Sequence, residues 1–285
     1  MNQNWEHQAW FASTSSSQTM KTWARLIDAK EDFPPAFASD PVFIAASYRI
    51  YLPLDERESV NRPEGAICLS PQGVDVFSIE DGKKEHLHFN FTDIMWIEEG
   101  GVLLHGWIAF RDPDKSYLTF FNTANRAIFM PLMWSLRCRS FSMEMPKELE
   151  LSKTPQAVLD LEGKDFTLMS ICRNVLVSDM NISEVYYQDP LDDRGPFAVL
   201  ITKKELIFCR HVMSSEMLGR LDGRSCLHIP LPSKDSFTLV KRERRDVLYM
   251  PLMPEGTGGS FSFPKTGTRF EKFIKSLRDC ITING

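Results

Sequence analysis

The apolar and polar positions of this chain predict a series of short strands that occurs twice, each time before a helix. In the first copy, apolar runs at 66–69 and 74–79 flank the turn tetrad 70–73. That arrangement predicts a β-hairpin. In the second copy, apolar runs at 197–202 and 206–210 flank another short polar turn. Self-similarity on this scale predicts two copies of one small domain rather than an array of short repeats.

Matching motifs follow the hairpin in both copies. The alternating segment His86–Phe89 corresponds to Cys226–Ile229, and each predicts a strand. Each copy ends in a segment with helical spacing that contains Ser-Leu-Arg, at 135–137 and at 276–278. The sequence therefore predicts four segments. These are a Trp-rich helical arm over 1–36, a first domain over 37–141, a linker over 142–163 and a second domain over 164–285.

Local patterns give further expectations. The spacing of Trp23, Leu26 and Ile27 predicts a helix over 18–29, and the apolar run 42–52 predicts one strand. Gly100-Gly101 predicts a turn before a strand over 102–110. Within the linker, a short helix is expected over 156–161. The segment 165–187 fits a helix and a strand equally well.

Composition places the chain among ordinary globular proteins. It has 285 residues, 43% of them hydrophobic and 25% charged, enough for two domains with cores of their own. The six cysteines form no Cys-x-x-Cys motif, and the N-terminus lacks the pattern of a signal peptide. We therefore expect a cytoplasmic protein with reduced thiols. No apolar run reaches the length of a spanning helix, so no transmembrane segment is expected.

Charge differs between the two parts of the chain. Residues 196–285 carry 15 Lys and Arg against 9 Asp and Glu, whereas residues 1–195 carry 18 against 29. A basic part beside an acidic part can steer an anionic partner toward the protein. It can equally let the two parts dock on each other, and that is the simpler interpretation.

The motifs of the second copy resemble the pleckstrin-homology-like (PH-like) superfamily, especially its GRAM and bacterial PH-like members. The resemblance rests on Leu200–Phe208, His228–Leu231, Phe261–Pro264 and Phe270–Phe273. The first copy is a weaker match, because Ser70–Gly73 replaces the Thr-Lys-Lys turn. The resemblance implies a mainly β (α+β) fold. Two bent seven-stranded barrels would lie in tandem, each closed by its C-terminal helix.

Catalytic motifs are absent from the sequence. It contains no Gly-x-Ser-x-Gly, no His-Glu-x-x-His and no Walker loop. We therefore expect no enzymatic activity and no cofactor. His86 and His88 share one strand face, as do Cys226 and His228, and such pairs can bind zinc. Structural histidines are the preferred interpretation, and no metal is expected.

Basic residues of the second domain form a candidate anion-binding or lipid-binding site. The set is Lys203, Lys204, Lys241, Arg242, Arg244 and Arg245. In PH-like domains that bind phosphoinositides, basic residues of the first hairpin hold the phosphates, so the resemblance implies this role for Lys203 and Lys204. Several cations together would attract multivalent phosphate. A solvated turn is the alternative, because Glu205 and Glu243 dilute the charge.

Aromatic residues near the N-terminus form a second candidate contact surface. Trp5, Trp10, Phe11 and Trp23 either anchor a partner or pack on the first domain. The function expected from the whole sequence is a non-catalytic binding or scaffolding module whose partner is another protein. One alternative is peripheral binding of anionic lipid or phosphate.

Another alternative is a histone-associated or nucleic-acid-associated module with two PH-like domains. The chain lacks the long acidic tail common among histone chaperones. It also lacks a basic face with interleaved aromatic residues, so nucleic acid is not an expected partner.

Overall fold

The protein is mainly β and divides into two compact units. In the computed structural model, the first unit contains the elements before residue 145 and the second contains nearly all of those after it. The described residues are 23–56, 62–102, 104–144, 154–176, 181–190, 195–214, 221–231, 238–241, 245–249, 260–264 and 271–277. These residues confirm the predicted predominance of strands.

The first unit begins with five strands that pair antiparallel in chain order. They are β1 (Arg25–Leu26), β2 (Tyr48–Leu52), β3 (Glu64–Leu69), β4 (Gly73–Glu80) and β5 (Lys83–Asn90). A short helix, α1 (Pro41–Ala45), precedes β2, and a 3₁₀ turn over Phe91–Asp93 follows β5. The predicted hairpin of the first copy is confirmed as β3 and β4.

Three more antiparallel strands and a long helix complete the first unit. They are β6 (Trp96–Val102), β7 (His105–Arg111), β8 (Ser116–Asn122) and α2 (Arg126–Ser140). Apolar side chains of α2, among them Phe129 and Leu132, share one core with Val74 and Val76 of β4. The Phe129 ring stacks on Phe121 of β8 with centroids 4.1 Å apart. The helix therefore covers an apolar face that the strands would otherwise expose to water.

The first sheet is buried on its second face as well. Successive side chains of a strand point to opposite faces, so Phe77 faces away from Val74 and Val76. Phe77 packs with Phe37 and Phe43, which lie before β2. Residues between 27 and 46 thus form an apolar cover over the outer face of the sheet.

Two of the predictions for the N-terminal part are wrong. Arg25 and Leu26 form β1 instead of a helix, because their backbone pairs with β2 and the Ile27 N–H donates to the Arg49 carbonyl at 3.0 Å. The predicted strand over 42–52 begins instead as α1. Asp40 caps that helix by accepting N–H bonds from Val42 at 3.0 Å and Phe43 at 3.2 Å.

The turn predicted at Gly100-Gly101 is also wrong, because both glycines lie inside β6. Gly100 pairs with Trp107 of β7, and the indole lies directly over its Cα. A Cβ at Gly100 would lie 1.9 Å from Cζ2 of Trp107. Glycine is needed here for the close approach of an aromatic ring and not for a turn.

The second unit begins with helices and continues with strands. Two helices, α3 (Gln156–Leu159) and α4 (Phe166–Asn174), precede four antiparallel strands: β9 (Ile182–Gln188), β10 (Phe197–Thr202), β11 (Glu205–Ser214) and β12 (Leu221–Pro230). Three further strands are β13 (Thr238–Lys241), β14 (Arg245–Tyr249) and β15 (Ser260–Pro264). A helix over 271–277, named α5, follows.

The second unit also confirms two sequence expectations. The hairpin of β10 and β11 lies where predicted, as does the short linker helix α3. The ambiguous segment 165–187 contains both a helix and a strand, α4 and β9. Phe273 of α5 is fully buried against Tyr186 of β9, with ring centroids 4.9 Å apart. As in the first unit, the last helix packs an aromatic ring onto the strands.

We predict that Gly100→Ala destabilises the protein by about 1–3 kcal/mol, because the added methyl group forces the Trp107 indole out of its position. Gly163→Ala is the matched control, since a Cβ at Gly163 meets nothing within 4 Å. Its free energy of unfolding should change by less than about 1 kcal/mol. Urea unfolding followed by tryptophan fluorescence measures both values. Equal stability of the two variants would contradict the proposed ring contact.

Candidate binding surface

The most developed polar site of the described residues lies at the edge of the first sheet. His86 and His88 of β5 both contact one oxygen of Asp75 on β4: His86 Nε2 lies 2.9 Å and His88 Nδ1 lies 2.8 Å from Oδ1. Asp75 is buried, whereas the two imidazoles are about one third exposed, at 37% and 36%. We call Asp75, His86 and His88 the β5 histidine cluster.

Strand register creates this cluster. Asp75 lies directly opposite His88, and Phe77 lies opposite His86. The His86 ring stacks on the Phe77 ring with centroids 4.6 Å apart and an interplanar angle of 9°. The period of two then places all four side chains on one sheet face. The sequence predicted that His86 and His88 share a face, and the structure confirms it.

Lys84 extends the same face of β5 toward α1. Its ammonium forms an ion pair with Asp40, the residue that caps α1. Burial alone raises the pKa of the Asp40 carboxyl, but the hydrogen bonds from Lys84 and from the Phe43 N–H outweigh it, so the pKa lies below its usual value. The Lys84 ammonium therefore has an acidic partner, Asp40, from the same unit.

The second of the two pairs considered for zinc also has structural partners. In the second unit, His228 Nδ1 lies 3.2 Å from Glu205 Oε2, and both side chains are fully buried. Cys226 lies in the apolar core with Cys172 and Cys209. Within the described residues, no group of three or more His, Cys, Asp or Glu side chains has the geometry to hold a metal ion.

The five cysteines of the described residues are buried thiols. Hydrogen bonds from Cys172 and Cys226, together with burial, raise the pKa of the Cys209 thiol well above its usual value. Burial, with a contribution from the nearby Asp75, raises the pKa of Cys68 to about 12. Reactive cysteines require the opposite, a low pKa and access to solvent. The described cysteines therefore do not suit nucleophilic chemistry.

The basic residues of the second domain are only partly described. Lys203 and Lys204 are exposed in the turn between β10 and β11. The Thr202 hydroxyl accepts the backbone N–H groups of Lys204 at 3.1 Å and of Glu205 at 2.9 Å. Because both N–H groups already donate hydrogen bonds within the turn, an anion bound there would have to be held by the lysine ammonium groups.

The remaining members of the basic set lie at or beyond the limits of the description. On the backbone, Lys241 ends β13 and Arg245 begins β14, whereas Arg242 and Arg244 lie outside the described residues. Their joint action with Lys203 and Lys204 at one anion site stays a prediction.

The aromatic arm is likewise described only at its end. Trp5, Trp10 and Phe11 lie outside the described residues, and Trp23 is half-buried just before β1. Its indole Nε1 is buried without a hydrogen-bond partner among the described residues. Trp23 is therefore already partly covered, which favours packing within the protein for this residue.

Sequence reasoning did not identify Asp75 as part of a site. A signal was present, because Asp75 is a single acid between Val74 and Val76 in an apolar strand. A buried carboxylate needs polar partners, but the sequence does not state which residues of the next strand lie opposite. The roles of Asn90 and Asp93, which continue the hydrogen-bond network beyond His88, were missed for the same reason.

Comparison with known proteins adds no family assignment: no protein-family model matches this chain, and no curated protein matches it. None of the helices in the described part is long and apolar enough to cross a membrane.

We predict that Cys68 and Cys209 resist alkylation by iodoacetamide at pH 8 in the folded protein. Raised pKa values leave almost no thiolate, and burial blocks the reagent. Peptide mass spectrometry after timed labelling should show both thiols modified at least about 100-fold more slowly than in the protein unfolded in guanidinium. Labelling of native Cys209 at the unfolded rate would contradict the thiol cluster.

Vesicles that contain phosphatidylserine test the anion site. If two surface lysines both face anionic lipid, removing their charges weakens the binding of the protein to the vesicles by about tenfold or more. We predict this loss for the double variant Lys203→Ala/Lys204→Ala in co-sedimentation at low salt. The control Lys30→Ala/Lys83→Ala removes the same charge from exposed lysines of the first unit. Equal binding by the two double variants would exclude the turn as a lipid site.

Proposed function

We propose that this protein is a non-catalytic binding module built from two PH-like units, and that its partner is another protein. The observation that carries the proposal is the repeated order of elements. The first unit runs through strands β2 to β5, then β6 to β8, then α2. The second runs through β9 to β12, then β13 to β15, then α5. Seven strands followed by a helix are the elements that the resemblance implies for each domain, and this agreement in number supports the proposal.

The first unit has additional elements before β2. Strand β1 pairs with β2 at one edge of the sheet, and residues between 27 and 46 cover the outer face. These elements leave the opposite edge, β5, as the accessible one. Within the described residues, β5 is the terminal strand of its five-stranded sheet.

Strand β5 is suited to contact with another chain. It is eight residues long, and residues 83–87 are all exposed, including Leu87 with 38% of its surface accessible. The outer edge of a terminal strand presents backbone N–H and C=O groups that can pair with an added strand. Lys83 and Lys84, which oppose indiscriminate pairing, lie at one end of the strand, and Lys84 is held by Asp40. This leaves 86–90 as the segment for specific pairing.

The chemistry of the described side chains supports binding rather than catalysis. The two exposed histidines are held by Asp75, the buried histidine of β12 is held by Glu205, and the described cysteines are buried thiols. Each of these groups has a structural role. Pairing of an extended protein segment with β5 requires no reactive side chain.

Site-specific cross-linking tests the proposal. We expect a benzophenone amino acid at position 87 to capture a protein partner in an extract of the cells that produce the protein. The same amino acid at position 104 is the control, because Leu104 is exposed, at 59%, outside the sheet edge. The captured protein is then purified and its binding is measured directly.

Two substitutions complete the test with the purified partner. Leu87→Lys should raise the dissociation constant at least about tenfold, as loss of a central interface contact does. Leu104→Lys should change it less than about twofold. Equal cross-linking from both positions, or equal affinity of both variants, would contradict a partner site at β5.

A further inference from the structure

A chain of hydrogen bonds extends from the β5 histidine cluster into the next turn. His88 Nδ1 lies 2.8 Å from Asp75 Oδ1, and His88 Nε2 lies 3.0 Å from Asn90 Oδ1. The Asn90 Nδ2 group then donates to Asp93 Oδ2 at 2.8 Å. The chain links β4, β5 and the 3₁₀ turn over Phe91–Asp93 through one imidazole.

The direction of the Asn90 amide is fixed by Asp93. An ionised carboxylate only accepts hydrogen bonds, so the amide must direct its NH₂ group toward Asp93. Its carbonyl oxygen, a pure acceptor, then faces His88. The other Asp93 oxygen is occupied as well, because the Thr92 hydroxyl donates to Oδ1 at 3.1 Å.

His88 consequently lies between two acceptors. Asp75 Oδ1 is on its Nδ1 side and Asn90 Oδ1 is on its Nε2 side. A neutral imidazole has one N–H donor and one lone pair, whereas the imidazolium has two donors. Either neutral tautomer therefore places a lone pair against an oxygen lone pair and loses one bond. Turning the Asn90 amide over moves the same conflict to Asp93.

We propose that His88 is a proton-dependent clasp: its imidazolium joins Asp75 to Asn90 and holds the turn over Phe91–Asp93, and its deprotonation releases that turn. The clasp is closed while His88 carries both ring protons and open once it carries only one. Histidine is the residue type that most often changes charge between about pH 5 and pH 8, and this defines the range over which the clasp is tested. This inference does not depend on the partner or on the PH-like assignment.

The neighbouring titratable and charged groups are defined by the strand register. Asp75 and His86 contact each other directly beside His88, and Asp93 is reached through Asn90. Opposite Asp75 on β3 is Cys68, whose raised pKa keeps it neutral in this range.

Three more charged side chains surround this group of residues. Arg49 of β2 lies opposite Cys68, and Lys84 of β5 is paired with Asp40. Arg139 of α2 lies over the Phe91 ring of the turn, with its guanidinium carbon 5.2 Å from the ring centroid. His86 is the second histidine among these groups, and it contacts the same Asp75 oxygen. Its titration must therefore be followed separately from that of His88.

NMR of the full-length ¹⁵N-labelled protein tests the clasp between pH 5 and pH 8.5. Long-range proton–nitrogen spectra report the protonation of each histidine nitrogen. As His88 loses its proton, amide exchange of Ile94, which donates to the Phe91 carbonyl, should accelerate about fivefold beyond the intrinsic change. His86→Asn keeps a side-chain donor and removes the second titration, so the acceleration should persist in it.

Asp93→Asn supplies the decisive comparison. The amide that this substitution introduces can donate to the Asn90 oxygen, so the Asn90 amide can turn and donate to a neutral His88. We expect the pH dependence of Ile94 exchange to disappear in this variant, with neutral His88 carrying its proton on Nδ1. Two results overturn the proposal. One is a rate of Ile94 amide exchange that does not change as His88 loses its proton in the unmodified protein. The other is a pH dependence of Ile94 exchange in Asp93→Asn that equals that of the unmodified protein.

Discussion

The structure depends on the burial of the apolar strand faces against helices. Antiparallel strands with one apolar face must bury that face, and a helix with an apolar stripe provides the surface for it. In the first unit, Phe129 of α2 stacks on Phe121 and lies in the core with the side chains of β4. In the second, Phe273 of α5 is buried against Tyr186.

The hairpins could be predicted from the sequence because their information is local. Turn residues between two apolar runs locate β3 with β4, and β10 with β11, and the structure agrees. Elements decided by distant contacts could not be predicted in this way. The strand Arg25–Leu26 forms because β2 offers it a backbone edge, and Gly100 of β6 is needed because the Trp107 ring lies against it. Neither cause lies within a few residues of its effect.

In the candidate site, too, the features with a local cause could be predicted and those with a distant cause could not. That His86 and His88 share a face follows from the period of a strand, so the sequence predicted it. That Asp75 holds them follows from the register between β4 and β5, which the sequence does not specify. The start of α1 was missed although a local signal was present: Asp40 followed by Pro41 is typical of a helix start, and the strand prediction over 42–52 rested on the apolar run alone.

The central claim is that the two units have the same fold, and an experimental structure of the full-length chain tests it most directly. The account predicts that strands β2 to β8 with α2 superpose element by element on β9 to β15 with α5. In both units, the helix should cover the same end of a bent barrel. If the two helices cover different parts of their strands, or if β13 to β15 do not take the place of β6 to β8, the account is contradicted.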